Sequence, residues 1–238
     1  MDKIAIANKI RESLIALSDE KTKAVSAHFF KEALNVYGVK STEVKRVAKE
    51  SFKSCIGITK EQAFEICDLL WQSGVMEESF IACEWSCRFN KEYLPDDFAR
   101  FEKWITNYVS NWASCDTLCN HTVGDFVMLY PEYIAKLKEF TKSENRWVRR
   151  AAAVTLIIPA RKGLFLADIL EIATTLLADS DDLVQKGYGW MLKAASEAHR
   201  DEIYHFVLKH RATMPRTALR YAIEKMPPEY RKEAMIKK

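Results

Sequence analysis

The chain has 238 residues, 36 Lys and Arg against 33 Asp and Glu, and a net charge of +3. At 48% apolar and 29% charged it has the composition of one or two globular domains with a sizeable core, not of a disordered tail. No apolar run reaches the roughly 18 residues a spanning helix needs. The charges in MDKIAIANKIRESL also interrupt what would be the apolar core of a secretory signal, so a soluble, cytoplasmic protein is expected.

Seven glycines and six prolines are too few for a strand-rich fold, which needs turn residues every 8–12 positions or so. The periodicity is helical from the start. Ile6, Ile10, Leu14 and Leu17 mark one face of a first helix. A second covers about 20–35 and closes at the Tyr37-Gly38 turn, and Ser41 reads as the N-cap of a third, through Lys53. Thr59 to Gln62 forms a capping box for the next, which ends at Gly74 and is followed by Val75 to Arg88.

Pro95 suits the first turn of a helix to about Tyr108. Asn111 caps another to about Tyr130, and Pro131 starts a short one. Segments 144–158, 164–178, 181–198, 201–210 and 215–225 complete the series. This makes about a dozen helices with short connections, pairing at 35–45 residue intervals. An all-α, HEAT-like helical-repeat solenoid with a concave face is expected, as one domain over 1–238, with a globular bundle as the other arrangement of the same helices.

Charge is unevenly distributed. Residues 1–130 hold 16 basic and 19 acidic side chains, and residues 131–238 hold 20 and 14, so the second half suits an anionic partner or, equally, an ordinary solvated surface. Cys83 and Cys87, like Cys115 and Cys119, lie four apart on one helix face. Without secretion signals, and with less histidine nearby than structural zinc usually draws on, they read as small buried hydrophobes and not as disulfides, with a metal site on the two pairs as the side alternative.

Three helices hold chemistry-bearing residues. On the first, Trp112 and Asp116 are spaced i,i+4, beside a core stripe drawn through Cys115, Leu118, Thr122, Phe126 and Leu129. An isolated pair of this kind also describes a solvated aspartate beside a core tryptophan. On the second, Arg146, Arg149 and Arg150 flank an apolar stripe of Trp147, Ala151, Val154 and Ile158. Such guanidinium groups suit phosphate oxygens, and they equally suit a surface helix with snorkelling side chains. On the third, Lys186, Trp190 and Lys193 share a face, which places an indole between two ammonium groups. Gly187 and Gly189 flank it, each costing about 0.5–1 kcal/mol relative to alanine; something approaches this backbone closely, either another helix or a ligand. Basic side chains interleaved with aromatics are a nucleic-acid footprint. A carboxylate among indoles can stabilise a developing cation.

The segments WASCD (112–116), NRWVRRAA (145–152) and QKGYGWML (185–192) resemble, in order and spacing, those of the AlkD-type DNA alkylation repair proteins. The likeness extends over nearly the whole chain and is strongest from about 100 to 195. It implies a HEAT-like alkylpurine DNA glycosylase of base excision repair. Such an enzyme excises cationic purines such as 3-methyladenine and 7-methylguanine from double-stranded DNA, without metal or organic cofactor. By the resemblance the catalytic aspartate falls on Asp116, its flanking aromatics on Trp112 and Trp190, and a DNA-backbone arginine on Arg150. Arg146 and Arg149 are expected to help Arg150, Lys186 and Lys193 to hold DNA beside Trp190, and Phe29 stands roughly where members can have a tyrosine. A monomer is expected. The alternatives are a non-catalytic helical-repeat protein that binds DNA and a scaffold for a protein partner.

Overall fold

The computed structural model describes residues 2–30 and 33–236. Every regular element in them is helical: α1 (Lys3–Ile15), α2 (Glu20–Phe29), α3 (Ser41–Ser54), α4 (Lys60–Gln72), α5 (Met76–Cys87), α6 (Asp97–Asn107), α7 (Trp112–Thr117) and α8 (Gly124–Leu129). After them come α9 (Ile134–Phe140), α10 (Arg146–Val154), α11 (Ile157–Arg161), α12 (Leu166–Leu176), α13 (Asp182–Ala195), α14 (Arg200–His210), α15 (Arg216–Ala222) and α16 (Pro228–Ala234). A π-helical turn (Leu118–Val123) joins α7 to α8, and a 3-10 turn (Pro131–Tyr133) precedes α9. The all-α expectation is borne out. The expected dozen helices become sixteen α-helical segments among the described residues.

The additional breaks have local causes. The helix expected from Asn111 to Tyr130 is interrupted by the π turn, whose extra residue rotates α8 about the helix axis. Cys115, Leu118, Thr122 and Phe126 stay on the buried stripe, but Leu129 is 51% exposed. The helix expected over 144–158 stops at Val154, because Pro159 has no N–H to offer the Thr155 carbonyl. Ile158 is left half-buried. Ser41 is the first residue of α3, with Lys40 as N-cap and no side-chain cap. The second helix ends at Phe29, short of the expected 35; positions 31 and 32 of that expectation lie outside the described residues. The last helix, α16, lies beyond the segments expected from sequence and begins at Pro228, with Pro227 as its N-cap.

The chain packs as two compact units, one through Leu118 and one from Cys119. In the first, α4 and α5 pair closely, and α1 and α3 pack on them and on each other. The core is aromatic, with Phe64, Trp71, Trp85, Phe101 and Trp104 all buried. Two buried carboxylates on α5 anchor the connection from α2 to α3. Glu77 accepts from the backbone N–H groups of Tyr37, Gly38 and Val39. Glu78 receives a two-pronged bond from Arg11 and the Tyr37 hydroxyl at 2.6 Å. Burial, reinforced by that bond, pushes the Tyr37 hydroxyl up to about 12. Gly38 has φ +87°, and a Cβ there would lie 2.7 Å from the Asp19 carbonyl, so the turn read at Tyr37-Gly38 requires its glycine.

In the second unit α13 is the central helix, packed against α10, α11, α12 and α15. Five of the six cysteines are buried, and Cys87 is half-buried, in keeping with small core hydrophobes. No helix among the described residues is long and apolar enough to cross a membrane.

Candidate functional site

The expected site residues divide between the units: Phe29, Trp112 and Asp116 in the first, the arginines, lysines and Trp190 in the second. In the first unit the six-residue α7 is held at its start. The Asn111 side chain, almost fully buried, accepts from Ser114 N–H at 2.8 Å and donates to Ser114 Oγ. That hydroxyl in turn meets Ser79 Oγ of α5 at 2.8 Å. Capping and tertiary hydrogen bonding together fix a helix too short to persist alone. Trp112 and Asp116 project from it four residues apart, both half-buried. Asp116 lies a full turn into the helix, where the pull of the N-terminal dipole has faded. The π turn begins two residues later.

The end of α2 supplies an aromatic wall. Phe30 stacks on the Trp112 indole, with centroids 5.2 Å apart and planes at 27°. Phe29 meets the same indole at 5.8 Å and Phe30 edge-on at 5.3 Å, and remains 67% exposed. Phe29, placed in the sequence by resemblance, therefore does join Trp112. Phe30, which is not among the residues expected from sequence, makes the flatter contact. The adjacent Phe-Phe pair is its only signal.

In the second unit the basic residues are paired within the chain. Arg149 bridges Asp179 at 2.6 Å and donates to the Ser143 and Glu144 carbonyls. Arg146 bridges Asp181 at 2.8 Å. Asp179 and Asp181 belong to the turn before α13, whose N-cap is Asp181, so the two guanidinium groups clamp that turn against α10. Arg150 is only 5% exposed and donates to the Leu183 carbonyl. Trp147 is core, as its stripe implied. The acidic run DSDD (179–182) is the signal for this clamp, and in the sequence it reads only as a helix start.

The two glycines of α13 are explained by helix packing. A Cβ on Gly187 would lie 3.3 Å from Arg150 Cγ, and one on Gly189 would lie 2.8 Å from the Ala218 carbonyl and from Tyr221 Cβ. Other helices approach here: α10 through Arg150 on one side, α15 on the other. Trp190 is half-buried. The expected sandwich of its indole by two ammonium groups takes a different form. Lys186 turns back to Asp182 at 2.6 Å, and Lys193 reaches Glu224 at 2.9 Å and the face of Tyr221.

A carboxylate beside an aromatic wall can stabilise a cation, and an arginine seam closed by aspartates can exchange them for other anions. Among the described residues no group of three or more His, Cys, Asp and Glu side chains is disposed to hold a metal ion.

The solved structure of a predicted DNA alkylation repair enzyme from Enterococcus faecalis superimposes with a TM-score of 0.78, at 17% identity, covering 89% of this chain and 97% of that one. At that identity the likeness establishes a shared fold. No curated protein matches the sequence. The profile of the DNA alkylation repair enzyme family matches residues 10–226, nearly the whole length, and so includes all three of the AlkD-type segments. The chain belongs to the DNA alkylation repair enzyme family.

Proposed function

We propose that the protein is a DNA glycosylase that removes positively charged alkylated purines, 3-methyladenine and 7-methylguanine, from double-stranded DNA as the first step of base excision repair. The observation that carries this reading is a half-buried carboxylate, Asp116, one helical turn from an indole, Trp112, that is itself backed by Phe30 and Phe29. The alkylated base is already cationic. When the bond from C1′ to the purine nitrogen breaks, its electron pair settles in the purine and neutralises it, so no strong general acid, metal or organic cofactor is called for.

Positive charge then builds on the deoxyribose, where Asp116 stabilises it and orients the attacking water. The water oxygen bonds to C1′ and its proton passes to solvent. Trp112 offers a π-face to the lesion, the role that the resemblance also gives to Trp190. Arg146, Arg149 and Lys186 take backbone phosphates in exchange for their aspartates, Lys193 contributes from the same helix as Trp190, and Arg150 adds its charge from beneath. The protein acts as a monomer in the cytoplasm and as one helical-repeat domain, since a single lesion requires no two-fold symmetry.

The test is release of free 7-methylguanine and 3-methyladenine from methylated duplex DNA. Wild type is expected to release both, with Asp116→Asn slowing excision by about 100-fold or more. The alternative, a non-catalytic DNA-binding or scaffold protein, draws support from the internal ion pairs of Arg146 and Arg149; it predicts no release by either protein.

A further inference from the structure

The cations of the α10–α13 seam are engaged within the chain, but another basic group in the same unit is not. Arg220 on α15 and Arg231 and Lys232 on α16 line one open depression of about 400 Å³, with Pro228 and Met235. All three cations are exposed, and none forms an ion pair among the described residues. The acid on the rim, Glu224, is bound to Lys193 of α13 at 2.9 Å. Glu233 of α16 accepts from the Tyr204 hydroxyl at 2.6 Å, and the exposed Glu229 is the remaining carboxylate on α16.

We propose that this α15–α16 depression binds the phosphate backbone of duplex DNA, continuing the surface of α13 past the Lys193–Glu224 bridge. The inference rests on the reading of the protein as a duplex-DNA enzyme. Three unpaired cations around one concavity complement a polyanion, and binding there breaks no internal salt bridge. Each phosphate neutralised releases condensed counterion, which makes the contribution readable in the salt dependence. A lipid headgroup is the other anionic surface such cations would suit, but α16 projects no free aromatic toward one: its Tyr230 stacks on Tyr204 at 4.2 Å.

The experiment compares wild type, the triple variant Arg220→Ala/Arg231→Ala/Lys232→Ala, and a charge-matched control, Lys45→Ala/Lys49→Ala/Lys53→Ala, on the exposed face of α3. Affinity for an alkylated duplex is measured from 50 to 300 mM salt, and single-turnover excision at saturating protein. The α15–α16 variant is expected to bind about 10-fold more weakly or worse, with a salt slope smaller by roughly 2–3. The control slope and the saturated excision rate should stay within twofold of wild type. An unchanged slope, equal loss in the control, or a lower saturated rate overturns the proposal. Binding of wild type to phosphatidylserine vesicles but not to the duplex, lost in the variant, overturns it in favour of lipid. Absence of duplex binding and excision by wild type defeats the glycosylase reading itself, and this inference with it.

Discussion

At the α10–α13 seam Arg146 and Arg149 lie against Asp181 and Asp179, and Arg150 is buried over Gly187; at α15–α16, Arg220, Arg231 and Lys232 stand in solvent without acidic partners among the described residues. The first set is dense in sequence and stands out at once. The second is spread over 13 positions and two short helices and does not. Clustering of charge along a chain thus says little about its availability. At the seam the arginines hold the turn before α13 in place. At α15–α16 the charge is open to an external anion.

The contrast can be broken or sharpened by substitution, beginning with the tightest packing on α13. Gly189→Ala places a methyl 2.8 Å from the Ala218 carbonyl and Tyr221 Cβ, so α15 must move; a loss of about 3 kcal/mol is expected in denaturant unfolding. Asp179→Ala leaves Arg149 without its carboxylate at the seam and should cost about 2 kcal/mol. Arg220→Ala, at an open position, should fall within about 0.5 kcal/mol of wild type. Equal losses for these last two would show that pairing does not distinguish the regions.

An effect between those of Asp179→Ala and Arg220→Ala concerns pH in the first unit. The Tyr37 hydroxyl, raised to about 12 in the fold, keeps its proton more tightly than in the unfolded chain, where it titrates near 10. Its contribution is complete below about pH 10 and disappears as pH rises through 12, a loss of about 1 kcal/mol after allowance for its partial exposure. Melting curves in Tyr37→Phe should lack that alkaline component. As small as Arg220→Ala is Gly187→Ala. Its methyl meets the flexible Arg150 side chain at 3.3 Å, and the improved helix propensity offsets the displacement, so stability should change by less than about 0.5 kcal/mol. A loss as large as that of Gly189→Ala would mean Arg150 is fixed as firmly as backbone.

Features decided by local chemistry are legible in the sequence. The capping box at Thr59 and Gln62 is present with both of its bonds, and Asn111 caps α7 as its side chain suggested. Helical period identifies Trp147 as core and sets Trp112 and Asp116 on one face. Features that depend on groups distant in sequence are not legible. Nothing near Arg149 names Asp179, thirty residues on, as its partner, and nothing near Trp112 names Phe30. The π turn after Thr117 leaves no residue pattern distinct from a continuous helix, so the periodicity assigns Leu129 to a core it does not enter. Gly187 and Gly189 announce close approach, but which helices approach is set by tertiary packing.

The central claim is that Asp116, beside the Trp112 wall, drives cleavage of the glycosidic bond of cationic purines. The most direct measurement is the single-turnover rate of 7-methylguanine release from a methylated duplex by wild type and by Asp116→Asn, at protein concentrations that saturate binding of both. The account predicts release by wild type and a fall of about 100-fold or more in the variant with duplex affinity retained. Equal rates for the two proteins, or no release by either while both bind the duplex, would contradict it.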